Sequence, residues 1–122
     1  VLSSKINGLI ISNTTISRDS ISTDTLEKGG LSGKPIFDIS TKQLRMAYKY
    51  TNGKIPLIGV GGVDSAEKAY EKIKNGASLI QLYTGLVYNG PNLIKDINED
   101  LSSLIERDGY SNISEAVGAE VN

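Results

Sequence analysis

The sequence predicts an α/β fold on parallel strands, and two observations predict it. Three short apolar runs alternate with three stretches of helical period, and every apolar run ends in small or polar residues. Alternation of this kind builds parallel sheets with right-handed crossovers. Three strand–helix units fit either a doubly wound sheet or part of a (β/α)8 barrel, and periodicity alone leaves both open.

The first run, Gly8-Leu9-Ile10-Ile11-Ser12, is nearly all apolar, as expected of a strand buried on both faces. Residues 13–37 are polar, rich in Ser, Thr and Gly, and without a clear period, a length that marks a functional or mobile connection. A helix is expected from about residue 40, with Leu44, Ala47, Tyr48 and Thr51 on one face and Asn52-Gly53 as its stop. Pro56-Leu57-Ile58-Gly59-Val60 is the second strand. The next helix is expected to start at an Asp64 N-cap with Glu67 completing a capping box, and Ala66, Ala69, Tyr70 and Ile73 form its inward stripe. Its lysines, Lys68, Lys72 and Lys74, read as solvated surface. Asn75-Gly76 ends it, and Ser78-Leu79-Ile80-Gln81-Leu82-Tyr83 is the third strand. After Thr84-Gly85 and the interruption at Gly90-Pro91, a long helix is expected over about residues 92–107. Ile94, Ile97, Leu101, Leu104 and Ile105 would face inward, and a short helical tail follows near residues 114–117.

Composition narrows the function classes. A chain of 122 residues with 39% hydrophobic and 22% charged residues is sized for one globular domain. Its net charge of −1, with Lys and Arg spread throughout, offers no basic face to nucleic acid or anionic lipid. Without cysteine there is no disulfide or thiolate chemistry, and without histidine the commonest general base and metal ligand are missing. The carboxylates are scattered, so no metal site is expected. The chain starts without methionine and runs almost at once into a strand, as a piece of a longer protein would.

Ligands of parallel α/β folds bind beyond the carboxyl ends of the strands. Those ends carry Ser12-Asn13-Thr14-Thr15, Gly61-Gly62 and Tyr83-Thr84-Gly85. The glycine pair after Val60 can bring backbone N–H groups up to an anion, and a side chain at Gly62 is expected to fill the anion's space. Each feature also has a plainer reading. Gly-Gly can be a tight turn, Asn13 an Asx-turn, Tyr83 a core residue, and Gly29-Gly30-Leu31-Ser32-Gly33 loop punctuation. Their coincidence on one side favours a phosphate-bearing cofactor.

Four segments then match a family. They are residues 7–15 (Asn7-Gly8-Leu9-Ile10-Ile11-Ser12-Asn13-Thr14-Thr15), Gly29-Gly30-Leu31-Ser32-Gly33-Lys34-Pro35, Ile58-Gly59-Val60-Gly61-Gly62-Val63 and residues 76–84, ending Gln81-Leu82-Tyr83-Thr84. In order and spacing they resemble the class 2, quinone-dependent dihydroorotate dehydrogenases, and the Glu115-Ala116-Val117-Gly118-Ala119 tail extends the likeness. The Asn-Thr-Thr run and the Tyr before Thr84 favour class 2 over the soluble class 1 enzymes.

The resemblance implies a (β/α)8 barrel that binds FMN, of which residues 1–122 are the C-terminal part, about three strand–helix units, with the N-terminal part of the barrel absent. It implies FMN contacts at Ser12, Ser32, Gly33, Gly61, Gly62, Tyr83 and Thr84, and pyrimidine contacts at Asn13 and Thr14. In the family a serine base takes a proton from dihydroorotate, hydride passes to the flavin, and a quinone reoxidises it. That base, a flavin-contacting lysine and the quinone-entry helices lie upstream of the matched region, so no catalytic residue is assigned in this chain, which is expected to be inactive alone. Peripheral membrane association is implied, at the mitochondrial inner membrane in a eukaryote or the cytoplasmic membrane in a bacterium. Two alternatives stand beside this reading: another FMN-dependent barrel dehydrogenase, and a truncated, non-catalytic product.

Overall fold

A computed structural model describes residues 3–22 and 28–121. The expectations for Val1-Leu2 and for the middle of the polar loop fall outside these residues. Strand β1 (Leu9–Ile11) is followed, after the loop, by a 3₁₀ turn (Lys34–Ile36) that runs directly into helix α1 (Phe37–Thr51). Then come β2 (Leu57–Val60), α2 (Ala66–Lys74), β3 (Leu79–Gln81), α3 (Thr84–Asn89), α4 (Leu93–Arg107) and α5 (Ile113–Ala116). The strands form one parallel sheet in the order β1-β2-β3, with Ile10, Ile58 and Leu79 abreast.

The two faces of this sheet differ. On one, Leu57 packs with Leu44 of α1 and with Ala77, all fully buried. On the other lies the row Ile10, Ile58 and Leu79, in which Ile10 is 57% and Leu79 62% exposed. The expectation that the first strand is buried on both faces is therefore corrected. In-register parallel neighbours share a face, and no element among the described residues covers this one.

Helix α2 packs mainly on α4. Val63, Ala69, Leu93 and Ile97 form one cluster, and Tyr70, Ile73 and Ala116 a second, which brings α5 against the C-terminal end of α2. The tail is fixed there by Gly118 N–H donating to the Ile73 carbonyl and Glu120 N–H to the Lys74 carbonyl, both at 3.0 Å. These satisfy carbonyls that a helix end otherwise leaves orphaned. Tyr48 of α1 lies against both Gly76 and Gly118, and joins the same corner.

Four local expectations need correction. Helix α1 begins at Phe37 rather than near residue 40, because Pro35 opens a 3₁₀ turn that leads straight into it. Ser65, not Asp64, caps α2: it is extended and its Oγ accepts the Lys68 N–H at 3.4 Å. Glu67 thus sits two residues past the cap and makes no capping box. Ile94 is 51% exposed, since the inward stripe of α4 runs through Leu93 and Ile97. Lys72, expected on the surface, is 0% exposed. No helix among the described residues is long and apolar enough to cross a membrane.

Candidate functional site

The carboxyl ends of β1, β2 and β3 open together onto a cavity of about 960 Å³. Its wall includes Ser12, Asn13 and Thr14 after β1, Gly61 and Gly62 after β2, Tyr83 and Thr84 after β3, and Ser32 and Gly33 from the long loop. Every site residue expected from the sequence is on this wall.

The long loop reaches the cavity because it is tied to the β1 end. Thr15 and Leu31 exchange two backbone hydrogen bonds, of 3.2 and 2.7 Å, and Arg18 Nη2 donates to the Gly29 carbonyl at 2.7 Å. Gly30 lies directly against the Thr14 side chain. The loop then crosses to the β3 end, where Thr84 Oγ1 donates to Ser32 Oγ at 3.0 Å. Ser12 Oγ donates to Gln43 Oε1 at 2.7 Å. Asn13 Oδ1 accepts the Thr14 N–H at 2.8 Å, so it makes no Asx-turn, and its amide nitrogen meets no acceptor among the described residues. Tyr83, at 80% exposure, is not a core residue.

The glycine pair needs a correction of detail. Gly61 and Gly62 have φ of 107° and 76°, values that side-chain-bearing residues rarely adopt. A Cβ on Gly62, however, would lie 2.6 Å from Phe37 Cβ and 2.9 Å from Phe37 N. It would not fill an anion's space but would strike the first residue of α1. One on Gly61 would lie 2.9 Å from Ser40 Oγ. Both side-chain directions therefore face α1, which leaves the backbone side of the turn to line the cavity.

Sequence reasoning missed the charges at the cavity wall. Asp64 pairs with Lys34 Nζ at 3.2 Å and Lys68 Nζ at 2.9 Å, and ties the 3₁₀ turn to α2. Its place just past the Gly-Gly turn was the available signal; reading it as a cap hid the ion pair. Burial raises the Asp64 carboxyl, but hydrogen bonds and charges from Lys68 and Lys34 outweigh it and hold its pKa below 3.8. A depressed carboxylate stabilises the fold above its unfolded-state pKa, and that contribution is lost as pH falls through the folded-state value. In the full-length protein Asp64→Asn is expected to melt at a lower temperature near neutral pH. The two melting curves should converge once pH falls through the lowered folded-state pKa, below 3.8, and thermal unfolding across that range checks it.

Comparison with known proteins agrees with this geometry. Residues 1–105 match the family model of dihydroorotate dehydrogenase. The chain belongs to the dihydroorotate dehydrogenase family. It is 58% identical over 118 residues to the mitochondrial dihydroorotate dehydrogenase (quinone) of Arabidopsis thaliana, covering 94% of this chain and 26% of that protein. With the dihydroorotate dehydrogenase (quinone) of Parvibaculum lavamentivorans it shares 49% identity over 119 residues, covering 96% and 34%. A ligand-free dihydroorotate dehydrogenase structure from Eimeria tenella superimposes with a TM-score of 0.88 at 37% identity, over 93% of this chain and 32% of the other. The same enzyme in complex with ferulenol gives 0.91 at 36% identity, over 98% and 32%. The three strand–helix units are thus a portion of a dihydroorotate dehydrogenase (β/α)8 barrel, and the chain spans about a quarter to a third of the length of these relatives.

Proposed function

We propose that this chain forms the FMN- and orotate-binding wall of a quinone-linked dihydroorotate dehydrogenase, oxidising dihydroorotate to orotate in pyrimidine biosynthesis. One observation carries the reading: Ser12, Asn13, Thr14, Ser32, Gly33, Gly61, Gly62, Tyr83 and Thr84 converge on a single cavity at the strand ends. The family implies a flavin, and the donor set fits FMN. The N–H groups of Gly62 and Thr84 meet no acceptor in the described backbone pairing, as a phosphate site requires. A volume of about 960 Å³ lies at the upper end of small-molecule sites, which run roughly 300–1,000 Å³.

In this reading Gly61, Gly62 and Thr84 hold the phosphate, Ser12, Ser32, Gly33 and Tyr83 the rest of the cofactor, and Asn13 and Thr14 the pyrimidine. The chemistry the flavin supplies when bound is acceptance of a hydride equivalent and release of its electrons to a quinone. Asn13 has donors left over for a polar ring, and its carbonyl is fixed by Thr14, which sets the amide's orientation. No residue here is given the role of base; that group belongs to a part of the enzyme outside this chain. Plant relatives carry the name mitochondrial, so in a eukaryote the protein would sit peripherally at the mitochondrial inner membrane, and in a bacterium at the cytoplasmic membrane.

The test is Asn13→Ala in the full-length enzyme. Removing its amide leaves one side of a buried ring unpaired, so orotate should bind weaker by roughly 1–3 kcal/mol, or about five- to 150-fold. FMN affinity should change little. Equal losses of both ligands would make Asn13 structural. A wild-type protein that binds FMN but not orotate would point to another FMN-dependent dehydrogenase.

A further inference from the structure

Lysine is almost never fully buried without a charged partner, yet Lys72 of α2 is 0% exposed. It forms no ion pair among the described residues. Its ammonium is instead held by neutral groups: Nζ donates to Ser40 Oγ at 2.8 Å and to Thr41 Oγ1 at 3.1 Å, and lies 5.0 Å from the centroid of the Phe37 ring.

The fold makes room for this arrangement. The lysine stem crosses β2 at Gly59, where a Cβ would lie 3.2 Å from Lys72 Cδ. The Ser40 hydroxyl that receives the ammonium lies 3.0 Å from the Gly61 carbonyl and 2.9 Å from that of Phe37. One hydroxyl therefore separates a buried positive charge from the glycine turn at the cavity wall. Burial lowers the ammonium to about 8, partly opposed by the Glu71 charge, so at neutral pH the cation predominates. Burying a cation among neutral partners costs stability. A methionine of similar shape would avoid that cost, with the Thr41 hydroxyl still donating to the Phe37 carbonyl and that of Ser40 to the Gly61 carbonyl.

The missing counter-charge has a place on the other side of the turn. We propose that Lys72 is a positioning residue for an anionic cofactor group: through Ser40 it fixes the Gly61-Gly62 turn, and its charge attracts the phosphate monoester that the turn's backbone cradles. This rests on the reading of the cavity as an FMN site. Lys72 touches no ligand itself. It acts from behind the wall, in a medium where a charge is screened less than in water.

The experiment compares FMN with riboflavin, which has the same ring system and no phosphate. Flavin-stripped full-length protein is titrated with each, following the quenching of flavin fluorescence, and thermal unfolding is recorded without flavin. Lys72→Met is expected to weaken FMN roughly 10- to 100-fold and riboflavin less than about twofold, with a thermal midpoint unchanged or raised. Ser40→Ala keeps the charge and removes the link, and should weaken FMN alone by a smaller factor; it carries the test if Lys72→Met does not fold. Unchanged FMN affinity, or equal losses of FMN and riboflavin in a folded variant, overturns the proposal. Wild-type protein that binds neither flavin overturns the FMN reading itself, a different failure from the first.

Discussion

Purified alone, the 122-residue chain is expected to show no oxidation of dihydroorotate. Among the described residues its sheet has three strands, of which β1 and β3 are each paired along one side only. A complete (β/α)8 barrel takes about 250 residues, and its interior is filled by layers of side chains from all of its strands. Here the row Ile10, Ile58 and Leu79 has the position of such a layer with no opposite wall among the described residues, and its outer members are more than half exposed. The cavity is correspondingly a one-sided wall, and in the proposed reading the base is supplied from outside this chain. Unpaired edges beside an apolar row favour association between copies. The isolated chain should therefore run as oligomers in light scattering and give a blank in a quinone-coupled assay with added FMN. FMN-dependent turnover by this chain would sink the expectation.

The second large effect is at Gly62. A valine there would bring a Cβ to 2.6 Å from Phe37 Cβ and 2.7 Å from Phe37 Cα, at a φ of 76°. Overpacking costs about 1–3 kcal/mol and a left-handed backbone about 1–2 kcal/mol more, so roughly 2–5 kcal/mol of stability should be lost in the full-length enzyme. The start of α1 must shift, and the turn that should hold the flavin phosphate shifts with it. Bound-flavin absorbance and melting temperature are expected to fall together. Because the clash begins at Cβ, Gly62→Ala should do nearly as much harm as Gly62→Val, whereas a side chain that merely displaced an anion would leave alanine mild. Thr84→Ala removes one neutral hydroxyl, with its contact to Ser32 and its proposed share of the phosphate, and should cost about 0.5–1.5 kcal/mol. A Gly62→Val enzyme with full flavin and an unshifted melting temperature would contradict the close packing on Phe37.

Much of the fold was legible because strands and helices announce themselves by period. Leu57, Leu44 and the stripe Ala66, Ala69, Tyr70 and Ile73 all lie where their spacing put them. The cavity wall was legible for a related reason: Asn13, Gly61, Gly62 and Thr84 are residue types that interrupt apolar strands at one end. What escaped depends on contacts between distant segments. Asp64, which a cap reading claimed, is instead engaged by Lys68 and by Lys34, the latter thirty residues away in the chain. The exposure of Ile10 depends on which elements face it, not on its own hydrophobicity. Lys72 was misread because charge outranks position in any surface assignment. The gap over Gly59, the two hydroxyls of α1 and the Phe37 ring make the interior hospitable to it.

Gly59 ties two positions far apart in sequence into one hereditary unit. A side chain there would press at once on Lys72 Cδ at 3.2 Å, Ala77 Cβ at 3.1 Å and Leu44 Cδ2 at 3.3 Å. A lineage that acquired alanine at position 59 could keep its barrel most easily by also shortening the residue at 72. A lineage that lost the lysine would still meet Ala77 Cβ and Leu44 Cδ2 at 59, and could keep its glycine. A side chain at 59 should therefore be found across relatives only beside a shortened residue at 72, whereas 72 can change alone, a one-way dependence set by one point of crossing between strand and side chain.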